Sequence, residues 1–339
     1  MSFPIRSCSR AAWIAALAAA PALPAAAQGT PSGCGAQVIY IQDACQKAVD
    51  VFNFLSPQLG ASIAGGSAVL GQTSALGGFP HFSLGLRVNG LRGALPRPQN
   101  VSLALGGRQP TAFLTDGRWV GLPTAEAAVG VFKGLPIGVT NIGGVDLIVS
   151  ASYLPNVDDE DFGVRTSGGG LQLGYGARLG ILQETAIVPG VSATYLRREL
   201  PTTNIVARVG RDSILVDDLD ARTDSWRLQA GKRFLLLGVS VGGGQDRYES
   251  SARAGAILNR TVPGLLSARI DARNVATPRQ EITRSNVFGG LSLNFPFVRV
   301  AGEVGRTSGG SIGATFNSFG DRQADDAYTY GSVGVRVQF

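Results

Sequence analysis

No stretch of 18 consecutive apolar residues occurs in the 339-residue chain, which excludes a bundle of membrane-spanning helices. The single histidine, His81, and three cysteines are too few for a metal cluster built on those residues, and no cofactor motif stands out. Charged residues make up only 16% of the chain, and three of the 30 basic residues (Lys47, Lys133, Lys232) are lysine. No basic run interleaves with aromatics, so a net charge of +6 does not indicate a nucleic-acid partner. The 47 glycines follow no period of three, which removes a collagen-like fibre. Low charge with 44% hydrophobic content also argues against intrinsic disorder.

The first segment reads as an export signal. Arg6 and Arg10 precede the apolar stretch Ala11–Ala20, and Ala25-Ala26-Ala27 supplies a small-residue cleavage site before Gln28. Residues 1–27 are therefore expected to be removed. Cys8 leaves with them, and Cys34 and Cys45 remain as the expected disulfide of an exported chain. The residue three before Cys34 is Pro31, which speaks against a lipid-attachment site.

Two regions follow. In 28–80, Ile41, Ala44, Cys45, Ala48, Phe52 and Leu55 recur at helical spacing, predicting a helix over Ile41–Leu55. Gly60–Gly78 is rich in Gly, Ala and Ser and has too little side chain to build its own core, so it is expected to lie inside something else as a plug or gate.

From 81 to 339 the period becomes two. Phe82, Leu84, Leu86 and Val88 alternate with Ser83, Gly85, Arg87 and Asn89, and the same pattern recurs in 144–153, 171–181 and 329–339. About twelve such segments are readable, among them 235–246, 248–258 and 264–274 as three separate strands. Most reach the roughly 9–11 residues a tilted strand needs to cross a bilayer. Their connections largely alternate between long polar loops and short turns, the habit of outer-membrane barrels. Phe82, Phe132, Phe234, Phe295, Phe297 and Phe339 fall at the short-turn ends, and Tyr153, Tyr195, Trp226, Tyr248 and Tyr328 toward the other, as two interfacial girdles. The expected fold is an all-β, transmembrane antiparallel up-and-down barrel with an N-terminal helix and plug-like segment, located in the outer membrane.

The terminal strand carries a resemblance. Val333, Val335, Val337 and Phe339 alternate up to a terminal aromatic, which resembles the last strand of bacterial outer-membrane β-barrel proteins. The resemblance implies recognition by the barrel-assembly machinery. A segment ahead of the first strand that could plug the bore is similar to FadL-type long-chain fatty acid transporters, although the chain has no Asn-Pro-Ala turn and two strands fewer than that family's fourteen.

Several residues could carry chemistry. If apolar side chains face lipid, then Arg87, Arg178, Arg227, Asp246, Glu303 and Arg336 point into the lumen, where an arginine lining would favour anions. Asp158, Asp159 and Asp161 sit on one polar loop, and Asp217, Asp218 and Asp220 on another. They are weak candidates for sharing divalent cations with lipopolysaccharide phosphates. Two G-x-S-x-G matches place Ser240 mid-strand and Ser311 in a loop, neither on the strand-to-helix turn a nucleophile needs. The cluster Gly174–Gly180 lacks the helix of a phosphate loop and reads as small inward residues making room. These features lead to a channel or transporter for passive passage of a small solute, a hydrophobic one by the FadL-type resemblance. A non-transporting structural or adhesive barrel is the alternative, and a lipid hydrolase a distant third. A dense lumen would favour the second reading and a continuous passage the first.

Overall fold

The computed structural model describes residues 33–260 and 268–339, so the expected export signal lies outside the described residues. The wall strands are β1 (Phe82–Arg97), β2 (Ala112–Phe132), β3 (Gly144–Tyr153), β4 (Leu171–Leu182), β5 (Gly190–Glu199), β6 (Asp212–Phe234), β7 (Leu237–Arg260), β8 (Arg279–Asn294), β9 (Val298–Ser308) and β10 (Tyr328–Gln338). Each pairs antiparallel with the next, and β10 returns to β1 from Ser83↔Gln338 to Leu91↔Tyr330, closing a ring of ten described strands.

Ten replaces the twelve read from the sequence, for two reasons. Asp246–Tyr248 is no turn, because β7 runs unbroken for 24 residues through both expected segments. Of the expected strand near 264–274, the described part is Ala268–Ala276, which among the described residues pairs only with the far end of β7 and takes no place in the ring.

Exposure confirms which face meets lipid. On β1, Leu84, Leu86 and Val88 are 49%, 69% and 48% exposed, while Ser83, Arg87 and Asn89 are 2%, 5% and 1%. The six phenylalanines expected at the short-turn rim are all exposed there, and Phe82 stacks on Phe339 at 5.1 Å. Tyr153, Tyr195 and Trp226 face outward at the opposite level, joined by Trp119 and Tyr175. Tyr248 and Tyr328 do not belong to that girdle. Both are buried inside, because the strands continue past the bilayer and keep their alternation.

Beyond the girdle the polarity of the wall inverts. The outward residues of β7 change from Leu237, Val239 and Val241 to Gln245, Arg247 and Glu249, and exposed ion pairs link Arg222, Glu249, Arg247 and Glu281. Its inward residues change from Gly238, Ser240 and Asp246 to Ala252, Ala254, Ala256 and Leu258. At about 3.3 Å per residue, 24 residues reach far beyond a hydrocarbon core of about 30 Å. The surplus of β2, β6 and β7 therefore builds a water-exposed head with an ordinary apolar core.

That core is completed by helix α1 (Ile39–Ala64). Phe52, Phe54 and Leu55 pack with Leu103, Phe113, Ile214, Val216, Leu258 and Phe319, and Phe54 stacks on Phe319 at 4.2 Å. Cys34 and Cys45 are joined at its start. The helix outruns the Ile41–Leu55 expectation, continuing through Pro57 and Gly60. In the enclosed bore, intrahelical bonds satisfy backbone groups that have little access to water.

Helix α1 starts in the head and descends, and residues 65–80 continue down to the short-turn rim where β1 begins. The described chain from Gly33 therefore crosses the bore once before it builds the wall. An epitope inserted immediately before Gly33 is accordingly expected to bind antibody on intact cells. Labelling only after permeabilisation would contradict this topology.

Candidate functional site: the occupied lumen

All six lumen candidates, Arg87, Arg178, Arg227, Asp246, Glu303 and Arg336, point inward and are buried. Much of what they touch is the chain's own amino-terminal segment. The last carbonyls of a helix lack intrahelical partners and form the negative end of its dipole. Here Asn89 Nδ2 donates to Ser62 O at 2.6 Å, Arg198 Nη1 to Ile63 O at 3.3 Å, Arg87 Nη1 to Gly65 O at 3.1 Å, and Arg227 Nη2 to Ala64 O. Three buried arginines thus cap one helix end.

Their charges are balanced within the wall. Glu126 lies 3.0 Å from Arg87 and 3.2 Å from Arg198. Glu303 lies 3.6 Å from Arg227 and accepts hydrogen bonds from the Ser67 backbone N–H and hydroxyl. Asp246 lies 3.9 Å from Arg227 and accepts from Asn286 Nδ2 at 2.7 Å.

Below the helix the plug is irregular, and the wall supplies its hydrogen bonds residue by residue. Arg178 pairs with Asp146 at 2.6 Å, and Asp146 accepts the Leu76 N–H at 3.0 Å. Arg299 donates to Gly71 O, Gln229 to Gln72 O, and Gln183 to Ala75 O. Glycine makes the close approach possible: a Cβ on Gly180 would stand 2.8 Å from Ala75 Cβ, and one on Gly231 2.7 Å from Thr73. Ile148, the one break in the period-two pattern of β3, points inward to meet Ala68, Val69 and Leu76.

In the head, helix α1 pins two outer loops. Asp43 pairs with Lys47 and accepts the N–H groups of Ala104 and Gln109 at 2.7 and 2.8 Å. Asp50 accepts from Asn317 through both backbone and side chain. Between plug and wall, the cavity lined by Arg87, Glu126, Arg299 and Arg336 is about 20 Å³, room for little more than a water molecule. An open pocket of about 680 Å³ lies in the head, between Pro110–Ala112 and the loop 312–325.

The remaining candidates do not converge. Asp158 pairs with Arg208 and Arg165, hydrogen bonds that hold its carboxyl below the usual carboxylate range. Asp159 accepts the Glu160 N–H and Asp161 accepts from Gln99. Among the described residues no group of three His, Cys, Asp or Glu side chains could hold a metal ion. Val333, Val335 and Val337 face lipid, and Phe339 closes the rim against Phe82. His81 lies at the short-turn rim bonded to Gly78 O, Ser240 lies within the wall, and Ser311 lies in an outer loop. Sequence reasoning missed Arg198, Arg284, Arg299, Glu126 and Asp146, although each occupies the inward register of its strand.

Removing one partner of a buried ion pair strands the other. Asp146→Ala is expected to destabilise the barrel by about 3–5 kcal/mol, read from its urea unfolding midpoint. Asp158→Ala, on the exposed loop, is expected to leave that midpoint unchanged.

A scan against protein-family models finds no match, and a search of curated proteins finds none. Among solved structures, the chain is similar to the translocator domain of autotransporter NalP from Neisseria meningitidis, at 10% identity and TM-score 0.39, over 89% of this chain and 99% of that one. It is also similar to Ail, the attachment invasion locus protein of Yersinia pestis, at 8% identity and TM-score 0.25, over 79% and 100% of the two chains. The Pseudomonas putida toluene transporter TodX matches at 11% identity and TM-score 0.31, over 76% and 88%.

Proposed function

We propose that this protein is a closed, non-transporting outer-membrane barrel that anchors a head at the cell surface for structural or adhesive contact. The observation that carries this reading is the hydrogen-bonded seal: wall arginines hold the carbonyls of Ile63, Ala64, Gly65 and Gly71 across the bore. A solute would have to displace a segment bonded on several sides. The head, by contrast, is built to be rigid, with its own apolar core, a disulfide and loops tied to buried Asp43 and Asp50. In this reading the chain is exported by cleavage after Ala27, and the assembly machinery reads Val333, Val335, Val337 and Phe339. Lipopolysaccharide surrounds the girdle, and no catalysis is involved.

Gated passage of a small solute is the second reading, and one observation favours it. The seal is polar, so withdrawal of residues 65–78 would uncover a bore lined by Arg87, Arg178 and Arg336, suited to anions.

Planar-bilayer recording of the refolded mature chain separates the two. The anchor reading expects no steady conductance from the full chain, and current only from a version lacking residues 28–79. Steady current from the full chain, with a solute-dependent reversal potential, would favour passage.

A further inference from the structure

Arg299 and Arg336 are direct cross-strand partners on β9 and β10, and both point into the bore. Like charges directly opposite in a sheet repel, and the low dielectric of an interior strengthens that repulsion. Arg336 is 7% exposed, and none of its three guanidinium nitrogens has a hydrogen-bond partner among the described residues.

Nearby carboxylates offset this charge only in part, because each is engaged by another arginine or amide. Glu126 is shared between Arg87 and Arg198, and Asp146 is held by Arg178. Glu184 shares a second small pocket with Lys232, Arg233 and Arg299 and accepts the Arg233 N–H. Arg336 borders the 20 Å³ cavity together with Arg87, Arg299, Ser83, the Arg-paired Glu126 and the plug residues Ala68–Leu70. A buried charge of this kind requires a counter-charge.

We propose that this cavity binds a small monovalent anion of halide size, held by Arg336 and Arg299 against the plug. The cavity has room for one small ion. The anion offsets one of the two facing positive charges and so latches residues 68–70 to the wall. The site depends on the closed lumen and not on the anchor reading, so the conductance experiment can fail without touching it.

Crystals of the full mature chain grown in bromide, in place of chloride, test the site directly. An anomalous peak within hydrogen-bonding reach of the Arg336 guanidinium is expected, and an ordered water only at that position would overturn the proposal. In solution, chloride at a hundredfold its dissociation constant should lower the unfolding equilibrium constant about 100-fold relative to gluconate. Arg336→Gln and Arg299→Gln should abolish that chloride dependence. Equal dependence in the variants would also overturn it, and if Arg336→Gln fails to assemble, the bromide map and Arg299→Gln decide.

Discussion

A polypeptide that runs through the bore of a barrel must find a hydrogen bond for each backbone group it carries there, and the rest of this structure depends on that constraint. Helix α1 meets it internally until Ala64. The burden then passes to the wall at the helix end, where Asn89, Arg87, Arg198 and Arg227 take four successive carbonyls. The arginine richness of the interior follows from this. Guanidinium groups reach across the bore, carry several donors in a planar fork and complement the negative end of the helix dipole. Glu126, Glu303 and Asp246 then answer the arginines' charge, and Glu303 turns back to hold Ser67.

The same chain solves two opposite solvent problems along single strands. At membrane level β7 shows valines to lipid and small or polar groups to the plug. In the head it shows arginine and glutamate to water and alanine and leucine to α1. On β7 the alternation holds throughout and only the chemistry assigned to each face changes, whereas on β6 it shifts at a bulge between Asp217 and Asp220. The aromatic girdle of Trp119, Tyr153, Tyr175, Tyr195 and Trp226 marks where the exchange occurs. Closure and display are thus linked, since one helix is both the upper part of the plug and the centre of the head.

Much of the barrel was legible because period-two alternation over membrane-length segments has few other physical explanations. The inward placement of Arg87, Arg178, Arg227, Asp246, Glu303 and Arg336 followed from parity alone. The strand count was not legible, because Asp246–Ser251 has the composition of a loop. Those residues are polar on the outer face since the strand has left the bilayer there, not because the chain turns. Tyr248 and Tyr328 misled for the same reason, being interior residues of the head. The identity of the plug's partners was beyond sequence reading as well. Nothing local to Asp146 announces that it will meet Leu76, some 70 residues earlier.

The central claim is that the amino-terminal segment occupies the bore as a hydrogen-bonded part of the fold. Amide hydrogen exchange of the mature chain in native-like membranes tests it most directly. The account predicts that amides of Ala44–Ala64, with those of Ser67 and Leu76, exchange as slowly as those of the wall strands. Rapid exchange across Ala44–Ala64 beside a protected wall would contradict it.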